Sequence, residues 1–409
     1  MSVDPDNDRP VPSRPVTGSP IKESPIAAIP IDDNPRHRHP AWQWREGNSS
    51  ELLIDGSAFY PAMLSAIEGA RTQVLLEFYF VSSGQLMDRF IAALVAARAR
   101  GVEVLLLLDG FGGYGLLTRD RERLARAGVR IGVYNPLRLS NWSRNFARDH
   151  RKLLLVDGEQ AFIGGAGLAD EFYLGAAGEP PWHELVLRLR GPVVADWQQL
   201  FFGLWRWVSG EITTHGPAVQ ECGDQRMRLA TAAGPLQQQI KISFRRQVHH
   251  AERRVWMVTA YFLPSWSVRR ALRRAARRGV DVRLLLPGPY TDHPWLYQAA
   301  QRYYRQLLVA GVRIYEYQPR FIHAKVSLCD DWVSLGSCNM DRWNLRWNLE
   351  ANQEVDDPVL ARQIAAAVSA DLNQSREITL AYWQSRPRLH RALRFLIGYV
   401  SALLLRMIR

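Results

Sequence analysis

The chain has 409 residues, 52 Lys and Arg against 40 Asp and Glu, a formal net charge of +12 and 47% hydrophobic residues. That is longer than one typical domain and apolar enough for a sizeable core. Three cysteines, Cys222, Cys329 and Cys338, without any C-x-x-C spacing, exclude a disulfide scaffold and a zinc module, and no run reaches the roughly 18 uninterrupted apolar residues of a spanning helix.

Residues 1–42 read as a disordered leader: nine of the 23 prolines fall between Pro5 and Pro40, with almost no aromatic residues. No apolar segment precedes a small-residue cleavage site there, so the leader is not expected to export the chain, and the body is expected in the cytosol.

From residue 43 onward an internal repeat sets the organisation. Val74–Val81 (VLLEFYFV), a helical IAALVAARARG and Val102–Gly110 (VEVLLLLDG) recur as Val255–Leu263 (VWMVTAYFL), VRRALRRAARRG and Val280–Gly288 (VDVRLLLPG). Ala127–Pro136 (AGVRIGVYNP) and Ala310–Pro319 (AGVRIYEYQP) then match at seven of ten places. Continuous apolar runs mark buried strands, and Gly ends the helices between them. The expected fold is α/β: two similar units, 43–215 and 216–385, each a mixed sheet flanked by helices, forming a pseudo-twofold pair. Their boundary is expected near His215–Gly234. Trp197–Trp207 puts Trp197, Leu200, Phe201, Leu204 and Trp205 on one helical face, the pattern of core packing.

After its AGVRI segment, each half carries the same polar pattern. The first is His150, Lys152 and Asp157 in DHRKLLLVDG; the second is His323, Lys325 and Asp330 in IHAKVSLCDD. Lys occurs at only four positions, Lys22, Lys152, Lys241 and Lys325, beside 48 arginines, so a Lys in each motif marks a demand for a compact ammonium. The apolar stretches that follow read as strands, which puts His and Lys two residues apart on one side. Gly164-Gly165-Ala166-Gly167 and Gly336-Ser337-Cys338-Asn339 come next, turns that let backbone N–H groups approach an anion. If the two units face each other, two imidazoles and two ammonium groups share one pocket. That equips a site for a phosphodiester: one His attacks phosphorus, the other protonates the departing oxygen, and the ammonium groups offset oxygen charge. No metal or other cofactor is expected.

The duplicated H-x-K-x4-D with its Gly-rich or Gly-Ser-x-Asn turn resembles the phospholipase D superfamily. Within it, Pro181–Gly191 (PWHELVLRLRG) and His323–Val355, ending GSCNMDRWNLRWNLEANQEV, look most like the shorter bacterial cardiolipin synthases without amino-terminal spans. The resemblance covers roughly residues 50–385. It implies a catalytic set of His150, Lys152, Asp157, His323, Lys325 and Asp330, with His150 the nucleophile, His323 the acid and then base, and the two aspartates supportive. Lys152, Lys325 and Asn339 would hold phosphate oxygens, Ser337 would assist the turn, and Glu184 and Glu350 would orient the histidines through their second ring nitrogens. Gly167 stands where the family's first motif usually has Asn. Asp330 lies one residue closer to its turn than Asp157 does, so Asp331 could share its role.

The resemblance implies a cardiolipin synthase moving a phosphatidyl group from a donor, phosphatidylglycerol or phosphatidylethanolamine, to phosphatidylglycerol. Hydrolysis to phosphatidic acid by the same site is the alternative, and a nuclease the more distant one; nucleic acid is not the expected partner. Residues 386–409 hold six Arg and no acid around the eleven apolar residues Phe395–Leu405, the pattern of an anchor on anionic lipid. The enzyme is thus expected peripherally at the cytoplasmic face of the bacterial inner membrane. The sequence does not fix its oligomeric state. Gly110, Gly112 and Gly115 match G-x-G-x-x-G, but no acid follows the next strand, so the segment reads as a loop at the pocket mouth. His183, His249, His250 and His293 have no partner pattern and read as structural. Arg269 to Arg278 reads as the solvated face of a helix.

Overall fold

The computed structural model describes residues 42–138, 145–176, 178–211, 220–235, 237–341 and 343–385. The leader up to residue 41, the stretch 212–219 around the expected boundary and the basic tail from 386 lie outside the described residues.

The first repeat runs β1 (Arg45–Ile54), α1 (Gly56–Glu68), β2 (Gln73–Phe78), α2 (Gln85–Ala99), β3 (Glu103–Asp109), α3 (Thr118–Arg126), β4 (Arg130–Tyr134), β5 (Lys152–Val156), β6 (Gln160–Gly164), β7 (Leu185–Arg190) and α4 (Val193–Ser209). The second runs β8 (Gln225–Ala233), α5 (Gln239–His250), β9 (Arg254–Val258), α6 (Trp266–Arg277), β10 (Asp281–Pro287), α7 (Pro294–Gln301), α8 (Tyr304–Leu308), β11 (Arg313–Tyr317), β12 (Val326–Cys329), β13 (Trp332–Gly336), α9 (Asn344–Trp347), β14 (Leu349–Asp356) and α10 (Pro358–Asn373). β15 (Ser375–Ile378) and α11 (Leu380–Ser385) follow.

The described strands join one sheet in the order β15-β11-β10-β9-β12-β13-β14-β8-β1-β7-β6-β5-β2-β3-β4. Apart from β15 the order reads the same from either end once the repeats are exchanged, and antiparallel β1 and β8 form the seam. Strands joined through helices are parallel (β2 to β3, β3 to β4, β9 to β10, β10 to β11), whereas β5 and β12 return antiparallel to β2 and β9.

The apolar runs are continuous because both sheet faces are covered. In β3, Leu105 and Leu107 enter a core shared by the two repeats, while Leu106 and Leu108 enter a core under the first repeat's own helices. β10 does the same, with Leu285 in the shared core and Leu284 and Leu286 under the second repeat's helices. Trp197, Leu200, Phe201, Leu204 and Trp205 of α4 pack in the shared core, as the helical pattern requires, with Ile364 and Val368 of α10. Gly101 and Gly279 end α2 and α6 at φ 88° and 90°, a left-handed conformation that glycine adopts without strain.

Candidate functional site

Strand pairing begins at Lys152 and Val326, so each histidine sits just ahead of its strand, at the carboxyl end of the neighbouring β2 or β9. The other repeat fixes its backbone. His150 N–H donates to Leu349 O at 3.0 Å while Leu349 N–H donates to Arg148 O at 2.8 Å; His323 N–H donates to His183 O while His183 N–H donates to Phe321 O, both at 2.8 Å. Two short cross-repeat pairings thus bring the polar motifs together.

The side chains are exchanged in the same way. Nδ1 of His150 lies 2.9 Å and 3.1 Å from the two carboxylate oxygens of Glu350, from the second repeat. Nδ1 of His323 lies 2.8 Å from Oε2 of Glu184, from the first. A proton on Nδ1 shared with each carboxylate leaves Nε2 as the lone-pair nitrogen. Lys152 Nζ donates to its own motif's His150 O at 2.5 Å and sits 5.0 Å from the Tyr79 ring centroid. Lys325 Nζ donates to His323 O and lies 3.6 Å from Glu184. Since Nδ1 of His323 belongs to the Glu184 bond, the same ammonium's donor to the ring goes to Nε2 at 3.1 Å.

Burial sets the charges. It pushes His150 well below its usual value, and Lys152 and Lys325 push the same way; His323 falls to about 4 through burial and then Lys325. Lys152 drops to about 7, again chiefly through burial. The two acids differ: burial lifts Glu350 to about 8, whereas at Glu184 burial is outweighed by Lys325 and His323, leaving it lowered and ionised.

The small-residue turns treat the two acids differently, and at Glu350 the Ser337 hydrogen bond works against burial. Ser337 Oγ donates to Glu350 Oε2 and accepts from Ala351 N–H at 3.1 Å. The corresponding Gly165 has no hydroxyl to offer: a Cβ there would lie 2.3 Å from Glu184 Oε2 and 2.9 Å from Lys325 Nζ, space that the ion pair already fills. Asn339 is buried, accepts from Thr259 Oγ1 at 3.4 Å, and has an Nδ2 without a hydrogen-bond partner, a donor left for an incoming oxygen. Gly167 leaves no room for an Asn side chain, because its Cβ would fall 2.5 Å from the Phe80 carbonyl oxygen.

Asp157 and Asp330 are not brought to the imidazoles. Each lies in the turn at the far end of its strand, at φ 54° and 52°. There Asp157 accepts from the N–H groups of Arg71, Thr72 and Gln73 at 2.8–2.9 Å, and Asp330 from those of Glu252, Arg253 and Arg254 at 2.9–3.0 Å. Both staple the entry of the adjacent strand. Asp331 instead pairs with Arg253 at 2.6 Å, so Asp330 keeps the equivalent of Asp157's bonds despite the shorter spacing.

Several site neighbours carried no motif. The Tyr79 ring lies 4.8 Å from that of His150, and Phe172, Trp182 and Phe321 lie 5.2–5.6 Å from that of His323. The aromatic end of VLLEFYFV was the available signal for Tyr79, whereas Phe172, Trp182 and Phe321 lie outside both repeated strand segments. Arg151 bridges buried Glu77 and Asp149 at 2.6 Å and 3.0 Å. Asp109 accepts from Phe111 and Gly112 N–H as well as Asp149 N–H, tying the glycine loop to the His150 strand. His183 is held by Asp55 at 2.7 Å and Asp371 at 3.1 Å, and Arg320 also binds Asp55, so a cation flanked by two carboxylates joins the repeats beside Glu184.

Comparison with known proteins agrees with this geometry. A family profile described as "Cardiolipin synthase, PLD-like domain" matches residues 63–176 and 244–372, one segment in each repeat. Cardiolipin synthase A of Pseudomonas putida (strain W619) is 36% identical over 338 residues, 81% of this chain and 70% of the relative. That of Pseudomonas aeruginosa (strain UCBPP-PA14) is 35% identical over 337 residues, 81% and 68% of the two chains. In fold, the chain is similar to the crystal structure of phosphatidylserine synthase from Haemophilus influenzae Rd KW20, with a TM-score of 0.66 at 13% identity over 88% of this chain and 95% of that one. Polyphosphate kinase from Porphyromonas gingivalis follows with a TM-score of 0.57 at 17% identity, covering 87% and 53%. The chain therefore belongs to the phospholipase D-like cardiolipin synthase family of phosphatidyltransferases.

Proposed function

We propose that the enzyme moves a phosphatidyl group from a donor phospholipid to phosphatidylglycerol through a covalent phosphohistidine on His150. One observation carries the reading: two imidazoles from different repeats, each held at Nδ1 by the other repeat's carboxylate, with two ammonium groups beside them. Neutral His150 attacks phosphorus through Nε2 as the bond from phosphorus to the head-group oxygen breaks, and His323 gives that oxygen a proton. The head-group alcohol leaves. His323 Nε2 then takes the hydroxyl proton of the acceptor, whose oxygen attacks phosphorus while the P–N bond returns its pair to His150.

The asymmetry of the acids supports this division of labour. Ionised Glu184 favours an imidazolium at His323, and an entering phosphodiester, an anion, raises the proton affinity of both His323 and Lys152. The ammonium groups and the vacant Nδ2 of Asn339 face nonbridging oxygens, giving charge relief to the five-coordinate transition state. Burial of both histidines limits water and favours a hydroxyl acceptor over hydrolysis. We place the enzyme at the cytoplasmic face of the inner membrane, whose anionic lipid complements the net positive charge, with phosphatidylglycerol or phosphatidylethanolamine as donor. The test is to incubate purified protein with acyl-labelled donor, with and without unlabelled phosphatidylglycerol, and resolve the lipids. Diphosphatidyl product that requires acceptor and His150 supports transfer; phosphatidic acid alone would point to hydrolysis, and full product from His150→Asn would overturn the assignment.

A further inference from the structure

The large apolar side chains left in solvent are not scattered evenly. The loop after β3 exposes Phe111, Leu117 and Tyr114, the last at 82%, and the segment from β10 into the first turn of α7 exposes Tyr290 and Trp295. These loops occupy the same place in the two repeats, yet their sequences, GFGGYGLL and GPYTDHPW, share little beyond the opening Gly. The recurrence of exposed aromatics on unrelated loop sequences at equivalent positions is an internal replicate. Trp266, 62% exposed at the start of α6, adds a fifth ring, with the Arg270 guanidinium 4.9 Å from its centroid.

Both loops belong to the strand ends from which the histidines emerge. In the first repeat Asp109 ties Phe111 and Gly112 to Asp149, beside His150. In the second, rings lead inward from Trp295 to His293 (6.4 Å), to Tyr261 (5.7 Å) and to His323 (6.3 Å). Of the other exposed large apolar residues among those described, Ile242, Val309 and Val359 lie on or beside helices α5, α8 and α10, and Ile54, Leu137, Leu174 and Tyr382 also fall outside the two loops.

We propose that this aromatic rim is the surface by which the enzyme docks on a phospholipid bilayer, with its catalytic mouth against the head groups. Indole and phenol rings favour the layer between head groups and chains, and exposed Arg119 and Arg270 suit anionic head groups. A phosphatidyl group also has to reach buried imidazoles while its acyl chains stay out of water, because each methylene exposed costs free energy. The choice of a bilayer as occupant rests on the phosphatidyl-transfer reading of the site; the location of the rim does not.

The experiment places a quenchable fluorophore on Tyr114→Cys, Trp295→Cys or Val309→Cys of the full chain in a Cys222→Ser background, since Cys329 and Cys338 are buried. Vesicles of phosphatidylglycerol and phosphatidylcholine carry a lipid-borne quencher. Quenching at 114 and 295 is expected to exceed that at 309 by about threefold or more, and Phe111→Ser/Tyr114→Ser is expected to lower vesicle partition by about tenfold. Turnover of short-chain phosphatidylglycerol dispersed as monomers should stay within about twofold in that variant, because neither side chain takes part in the chemistry. Equal quenching at the three positions would overturn the proposal. So would label burial that grows with protein concentration without lipid, which would assign the rim to a second copy. Quenching at the rim without turnover of any phosphatidylglycerol would instead refute the transfer reading and leave the docking surface standing.

Discussion

His183 is the sharpest test of how the two repeats hold the site together. Asp55 of the first repeat and Asp371 of the second grip its two ring nitrogens, and although burial works against the charge, the two carboxylates raise it from 6.5 to about 9. Its carbonyl carries the His323 N–H, and its neighbour Glu184 carries the His323 ring. Because the folded value lies above the unfolded one, the contribution is fully present below about pH 6.5 and is lost as pH rises through about 9; a displacement of this size couples protonation to folding by about 3 kcal/mol. His183→Gln should therefore cost most at pH 6, about 3 kcal/mol more than at pH 10, where the native imidazole is neutral too. Urea unfolding followed by tryptophan fluorescence at a series of pH values measures it, the difference between native and variant isolating His183 from Lys152, whose depressed value gives the opposite slope. A stability difference that is flat from pH 6 to 10 would refute the imidazolium clamp.

Other outcomes follow from the same geometry. Glu350→Gln cannot ionise to offset the positive charge that forms on the His150 ring when its Nε2 bonds to phosphorus, and turnover should fall about 10²–10⁴-fold with little change in thermal stability; a kcat within threefold of native would contradict its role. Asn339→Ala removes the vacant buried donor and should cost about 10–100-fold in kcat, with stability changed by less than about 1 kcal/mol in denaturant titration. Asp157→Ala releases backbone N–H groups at the far end of β5, so it should lose about 1–2 kcal/mol of stability while turnover per folded molecule is kept; a catalytic role would give the reverse. Gly167→Asn should lower the melting temperature, at a cost of about 1–3 kcal/mol from the Phe80 carbonyl clash, and should not raise activity.

Much of the fold could be read locally. The AGVRI segments, the apolar runs and the terminal glycines located β2, β3, β4 and their counterparts, because strand burial and helix termination depend on neighbours a few residues away. The motif histidines and lysines were legible by duplication. The aspartates of the same motif were legible as conspicuous residues, but their place at the far ends of β5 and β12 follows from strand direction and length, which the motif spacing does not reveal by itself. His183 looked structural and carried no pattern, because its partners Asp55 and Asp371 lie 128 and 188 residues away.

The amino-acid order by itself determined that there are two units, each offering an imidazole, an ammonium and a tight turn. Only the tertiary structure decided that Glu184 serves His323 across 139 residues and Glu350 serves His150 across 200. The reason is physical: local periodicity fixes which face a side chain takes, while the choice of partner depends on how β1 meets β8 and how His150 and His323 each pair with the opposite repeat, contacts that exist only once the shared core has closed.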